Sequence, residues 1–244
     1  MSEVTGDNNV PVHRLVQQRL DKADKMREMG LNPYANTFKP TVTAAILHKD
    51  YAEHDKEALQ GIETTYSIGG RIIASREMGK ASFIQVQDRS AVLQVYVRKD
   101  VVGDDQFAVL KLADIGDLVG ITGTLMRTKT GELTLRAASF EILSKSLRPL
   151  PEKYHGLQDV ERRYRERYTD LIVNEQARDI FKKRAQIITG IRRYLDDRDY
   201  IEVETPILGD MAGGAAARPF ETFFNALDQP FCLRIATELH LSTI

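Results

Sequence analysis

Residues 81–97 constrain the fold more than any other stretch. Two short runs, Ala81-Ser82-Phe83-Ile84-Gln85-Val86-Gln87 and Val92-Leu93-Gln94-Val95-Tyr96-Val97, flank the polar turn Asp88-Arg89-Ser90. Alternate side chains of a strand point to opposite faces. Ile84 and Val86 therefore share one face of the first run, and Phe83, Gln85 and Gln87 share the other. In the second run Leu93, Val95 and Val97 lie opposite Val92, Gln94 and Tyr96. The pattern predicts an antiparallel pair with one aliphatic face for a core. Its outer face carries two aromatic rings among glutamines. Such a face is either an ordinary solvated one or a platform on which bases stack and amides read base edges.

The surroundings extend the pair into a larger plan. Strands are expected at 65–74, 81–88, 91–97, 117–126 and 132–143, with a helix around Asp105–Leu112. Gly116, Gly120, Gly123 and Gly131 fall where bends or turns belong. Thr128-Lys129-Thr130-Gly131 reads as a hairpin turn. Five strands with a helix between the third and fourth match an oligonucleotide/oligosaccharide-binding (OB) barrel. Such barrels bind single strands across strands two and three, the face that carries Phe83, Gln85, Val92, Gln94 and Tyr96.

The flanks read as helices and linkers. Residues 1–11 are polar and expected to be disordered. Val12, Val16 and Leu20 recur at helical spacing, and Gly30 is the expected stop. That helix carries Arg14, Arg19, Lys22, Lys25 and Arg27; a solvated face is expected, with a phosphate-facing helix as the alternative. Residues 42–60 predict an interrupted second helix ending at Gly61, and Leu147-Arg148-Pro149-Leu150-Pro151 a stiff linker. The arginine-rich Glu161–Tyr168 predicts a helix stitched by local ion pairs. Residues 175–197 predict a long helix with one apolar stripe, Ile180, Ile187, Ile188, Ile191 and Leu195. A strand is expected at Tyr200–Glu204, ending at Pro206, and a strand or helix start at Phe231–His240. Residues 213–219 are small and turn-rich. The fold class is α+β. It divides into a helical segment 1–62, a barrel 63–146, a linker 147–160 and the start of a further antiparallel domain over 161–244.

Charge and composition narrow the function. Lys and Arg total 34 against 35 Asp and Glu, a net charge of −1, so any nucleic-acid site must be a local patch or stacking surface. The single cysteine, Cys232, excludes an internal disulfide framework. The N-terminus has no secretory pattern and no apolar run approaches a membrane span, so a cytoplasmic location is expected. Glycine-rich phosphate loops are absent, the five histidines lack metal-ligand spacing, and no nucleophile–base pair stands out. From residue types alone this is a binding barrel joined to the beginning of something else.

Several stretches together resemble one family, the bacterial-type class II lysyl-tRNA synthetases. They are Met78–Phe83, Lys129-Thr130-Gly131-Glu132-Leu133, Leu147–Leu157, Arg163–Tyr168, Glu202-Val203-Glu204-Thr205-Pro206, Gly213–Phe220 and Leu233–Leu239, in order from about residue 12 to 241. The resemblance implies an anticodon-binding barrel. Phe83 stacks on an anticodon base, Gln94 and Glu132 hydrogen-bond the central uridine, and Arg76 adds a charge-assisted contact. It implies that Gly214 and Glu238 contact the lysine substrate and that Pro206 belongs to a homodimer interface. It implies lysine, ATP with Mg2+, and tRNA(Lys) as reaction partners. Asp199 stands where the family usually has glycine before the aromatic Tyr200.

The resemblance also sets an expectation about the far end. The family's second- and third-motif arginines and its magnesium ligands would lie beyond Ile244. Ser242-Thr243-Ile244 stands where a Lys-Arg-Leu run is expected. A truncated chain that cannot form adenylate alone, with no catalytic residue of its own, is therefore expected. Two alternatives stay open: a non-catalytic tRNA-binding module, and an aspartyl- or asparaginyl-tRNA synthetase.

Overall fold

β1 (Tyr66–Met78) is long enough to serve two neighbours. Its first half, Tyr66–Arg71, pairs antiparallel with β4 (Leu118–Arg127), and its second half, Arg71–Met78, with β2 (Ala81–Gln87). β2 pairs with β3 (Val92–Arg98), β3 runs parallel to β5 (Leu133–Ser144), and β5 returns to β4. The computed structural model thus closes a barrel of order β1-β2-β3-β5-β4. It describes residues 12–151, 157, 159–210, 213 and 216–241. The expected disorder of 1–11 lies outside them.

The pleat falls as the alternation predicts. Ile84, Val86, Leu93, Val95 and Val97 are buried, while Phe83, Gln85, Gln94 and Tyr96 sit on the partly exposed face. Val119, Ile121, Leu135 and Ala137 complete the interior. α4 (Lys99–Leu112) lies between β3 and β4 and adds Val102, Phe107, Val109 and Leu110. It is broken at Gly103 (φ 84°), so the expected Asp105–Leu112 helix is its second piece.

Two close approaches depend on glycine. A Cβ on Gly123 would lie 2.0 Å from the Arg136 carbonyl oxygen, where β4 and β5 shift register. Gly69 and Gly120 are cross-strand partners, and the Phe38 ring lies over both, 2.7 Å from where a Gly120 Cβ would stand. The ring covers backbone that has no side chain of its own.

The N-terminal helices belong to the same core. α1 (Val12–Glu28), α2 (Ala44–Asp50) and α3 (Lys56–Gln60) supply Met26, Ala44, Leu47 and Leu59 to the barrel cluster. The interruption expected within 42–60 is the turn between α2 and α3. The charges of α1 are a correction to the solvated-face expectation. Arg19 donates to the carbonyls of Ser146 (2.6 Å), Arg148 (3.1 Å) and Ile115 (3.0 Å), and Lys22 pairs with Asp114 at 2.5 Å. Behind them, fully buried Lys145 donates to Leu112 O, Asp114 and Asp117 at 2.5–2.6 Å. Burial opposes the charge on Asp114, but its bonds to Lys145 and Lys22 outweigh that and hold it below the usual carboxylate range.

The β2–β3 turn caps α2. Asp88 accepts from Ala44 N (2.7 Å), Ser90 N (2.6 Å) and Ala91 N (2.9 Å), and Ser90 Oγ accepts from Ala45 N at 3.0 Å. Burial again opposes charge, and these bonds together depress the Asp88 carboxyl. Arg127 reaches from β4 to the carbonyls of Tyr51 (2.8 Å) and Ala52 (2.9 Å), fastening the α2–α3 loop. Nearby, the hydrogen bond between the Tyr51 and Tyr66 hydroxyls, aided by burial, pushes Tyr51 up to about 12.

α5 (Val160–Arg165) and α6 (Arg167–Val173) form the arginine-rich stretch. Arg165 pairs with Glu161, Arg162 with Glu166, and both Arg163 (2.9 Å) and Arg167 (2.5 Å) with buried Asp170. Local pairing is the expected outcome. This first compact unit ends at Asn174, and a second begins at Glu175.

The second unit holds α7 (Glu175–Asp196), β6 (Leu208–Gly209), β7 (Glu221–Phe224), β8 (Gln229–Leu233) and α8 (Glu238–Leu241). Its sheet has the order β6-β8-β7, all antiparallel. The apolar stripe of α7 is exposed at Ile180, Ile187, Ile188, Ile191 and Leu195. The strand expected at Tyr200–Glu204 is absent. Alternation makes a strand only where a ladder partner exists, and here Arg192 instead binds both Glu202 oxygens at 3.0 Å. β7 carries no clear pattern and was not expected from the sequence. α7 ends with Asp199 at φ 61°, Tyr200 N donating to Leu195 O (3.2 Å) and Asp199 N to Asp196 O (3.0 Å). This closing motif usually takes glycine.

Three outcomes follow. Gly123→Ala should lower stability by about 1–3 kcal/mol in urea unfolding, the usual effect of overpacking. Asp199→Gly should stabilise the α7 terminus by up to about 1 kcal/mol, measured by thermal melting. Asp88 and Asp114 have depressed folded values, so their stabilisation is present at neutral pH and lost as pH falls through those values. The urea midpoint should hold from pH 7 to about 5 and then fall. Asp88→Asn and Asp114→Asn should each flatten that fall.

Candidate nucleic-acid interface

Strand register gathers the predicted anticodon residues into two rungs. In the first, Arg76 faces Phe83, Phe83 faces Tyr96, and Tyr96 faces Arg136 across β1, β2, β3 and β5. In the second, Gln85 faces Gln94, and Gln94 faces Thr134. Both rungs lie on the outer pleat, because Ile84, Val95 and Leu135 between them point into the core.

The first rung is built for stacking. The Phe83 and Tyr96 rings lie 4.5 Å apart between centroids with planes 25° from parallel. The partly exposed Phe83 is thereby backed by a second ring and held flat against it. A planar base gains most from a surface already fixed in orientation. Arg76 and Arg136 are exposed at the two ends of this rung. They add cationic groups for phosphates without needing a basic protein overall.

The second rung is built for hydrogen bonding. Gln94 Nε2 donates to Glu132 Oε2 at 2.7 Å, and Thr134 Oγ1 donates to Gln94 Oε1 at 2.9 Å. Glu132 lies just before β5, at the end of the predicted 128–131 hairpin turn. Its own N–H donates to Thr128 Oγ1 at 3.1 Å, and Thr128 N donates to Glu132 O at 3.0 Å. The turn chemistry thus sets where the carboxylate stands. An amide and a carboxylate side by side offer a donor and an acceptor to one base edge.

All four predicted barrel residues, Arg76, Phe83, Gln94 and Glu132, therefore fall on one contiguous surface. Tyr96, Thr134 and Arg136 join them but were not singled out as site residues. The alternation of β3 already put Tyr96 beside Gln94. Thr134 and Arg136 enter only through the parallel β3–β5 register, which no local pattern carries.

In the second unit the predicted residues are not brought together on comparable geometry. Exposed Pro206 precedes β6, and its carbonyl, with that of Thr205, accepts from Arg234 Nη1 at 3.2 and 2.6 Å. Exposed Glu238 opens α8. Gly214 lies outside the described residues. Among the described residues no group of three His, Cys, Asp or Glu side chains is placed to hold a metal ion.

Comparison with known proteins agrees with this division. Residues 66–143 match the family model described as an OB-fold nucleic acid binding domain, and residues 159–244 match tRNA synthetases class II (D, K and N). The second model does not separate lysine from aspartate and asparagine. The individual relatives do. The chain is 54% identical over 232 residues to a lysine–tRNA ligase of Anaeromyxobacter dehalogenans, covering 94% of this chain and 45% of that protein. It is 52% identical to a lysine–tRNA ligase of Enterococcus faecalis, over 93% of this chain and 45% of that one. It is 46% identical to one from Listeria monocytogenes, over 99% and 48%. The chain belongs to the lysine–tRNA ligase family. It spans about half the length of the curated lysine–tRNA ligases it matches. Within that family the match holds the OB-fold domain and the start of the class II domain. No described helix is long and apolar enough to cross a membrane.

Proposed function

We propose that the outer rungs of β1, β2, β3 and β5 bind the anticodon of tRNA(Lys), within a protein that activates lysine with ATP and transfers it to that tRNA. The observation that carries this reading is the fixed Phe83–Tyr96 stack beside the Gln94–Glu132–Thr134 hydrogen-bond set. Phe83 stacks on an anticodon base. Gln94 and Glu132 pair with the edge of the central uridine. Arg76 holds a neighbouring phosphate or carbonyl.

The remaining assignments concern the second unit. Glu238 pairs its carboxylate with the α-ammonium of lysine, a charge-assisted contact, and Gly214 gives the substrate close backbone approach. Pro206 belongs to a homodimer interface. The reaction needs no protein nucleophile: it proceeds by holding lysine and ATP in line and neutralising phosphate charge, with Mg2+ as the metal partner. The described residues supply no cluster suited to that ion, so no step is assigned to it. The cytoplasm is the proposed location.

Phe83→Ala should weaken binding of a tRNA(Lys) anticodon stem-loop to this chain by roughly 1–3 kcal/mol, the usual scale of one lost base–aromatic stack. Fluorescence anisotropy measures it. Unchanged affinity would make the aromatic face an ordinary solvated one.

A further inference from the structure

Thr134 is the one member of the second rung that a ligand cannot reach, being 0% exposed. A hydroxyl buried on the outer pleat of a strand needs a hydrogen-bond partner. Two acceptors are near: Gln94 Oε1 at 2.9 Å and Glu132 O at 3.2 Å. A threonine hydroxyl has one proton, and Glu132 O already accepts from Thr128 N at 3.0 Å. The shorter contact, to the glutamine, takes the proton.

The other end of the same amide meets Glu132. A carboxylate only accepts, so it requires the NH2 end of Gln94. Glu132 thus sets the polarity of the amide. The Thr134 hydroxyl would accept either polarity; what it fixes is place. Held at both ends, Gln94 has one N–H left to offer, beside the acceptor oxygens of Glu132.

This order matters for pyrimidines. Uracil presents a carbonyl acceptor beside an N–H donor. Cytosine presents an amino donor beside a ring-nitrogen acceptor, the same positions with roles exchanged. With the ring stacked and the sugar direction set, a mobile amide can serve either base, and a fixed one serves a single base.

We propose that Thr134 is a positioning residue for base selection: its buried hydroxyl holds the Gln94 amide against Glu132, so that the pair accepts a keto pyrimidine and rejects an amino one. The inference rests on the anticodon-binding reading above. It adds a residue that touches no RNA and acts through Gln94.

The test compares two synthetic RNA stem-loops, with uridine or cytidine at the central loop position, binding to the full 244-residue chain. The wild type should prefer uridine. Thr134→Val keeps the shape and removes the hydroxyl, and should reduce that preference about tenfold, within the range of one well-formed base contact. Thr134→Ser should restore it. In a Gln94→Ala background Thr134→Val should change the preference no further, because the effect passes through the amide. A Thr134→Val protein with the wild-type preference overturns the proposal. So does a serine variant that discriminates as poorly as valine, which would assign the effect to packing. A wild type that binds neither loop overturns the anticodon reading, and this inference with it. If valine unfolds the barrel on thermal melting, the serine variant and the Gln94→Ala pair of measurements decide.

Discussion

The double pairing of β1 is the constraint on which the rest depends. One strand joins β4 through residue 71 and β2 from residue 71 onward, so a five-stranded sheet becomes a barrel without free edges. At the changeover, Ile72 N donates to Asp117 O (2.9 Å) and Gly116 N to Ile72 O (2.8 Å). The register shifts between Ile72 and Ala74. Arg71 reaches Gly116 O at 2.5 Å, and burial, opposed by Asp117, lowers its pKa. Lys145, buried against Asp114 and Asp117, ties β5 to the same corner. Removing one partner would leave a buried charge unpaired, which is far worse than never having had the pair.

Closure determines the outer surface as well as the inner one. Ile84, Val86, Leu93, Val95 and Leu135 are at most 1% exposed, so no strand can slip by one residue without turning aliphatic side chains outward. That same restriction fixes which residues stand outside, and in what order across four strands. Phe83 and Tyr96 stack, and Gln94 lies between Glu132 and Thr134, before any ligand arrives. Preorganisation of this kind lets a chain with a net charge of −1 hold RNA through stacking and edge contacts, with a few arginines rather than a basic field.

Much of this was readable from residue order. Period-two alternation identified the inner and outer faces of β2 and β3 because burial on one side enforces it. Glycines and the Thr128–Gly131 turn marked where β4 and β5 begin and end. What stayed hidden was non-local. The basic charges of α1 look like a solvated or phosphate-facing stripe, yet Arg19 and Lys22 are taken up by carbonyls and a carboxylate about a hundred residues away. Asp88 reads as a turn residue, while its oxygens cap α2. Tyr200–Glu204 alternates like a strand but meets no ladder. Thr134 and Arg136 belong to the site through a parallel register that local pattern cannot supply. In the second unit the resemblance to the family named residues that no geometry here assembles, and they stand as proposals.

The central claim is that RNA lies across the Phe83–Tyr96 and Gln94–Glu132 rungs. Photo-crosslinking tests it most directly, using a stem-loop with a thiouridine at the central anticodon position and mass spectrometry to map the adduct. The account predicts adducts confined to β2, β3 and the start of β5, chiefly at Phe83 and Tyr96. Adducts on the arginines of α5 and α6, or on the second unit with the barrel face unmodified, would contradict it.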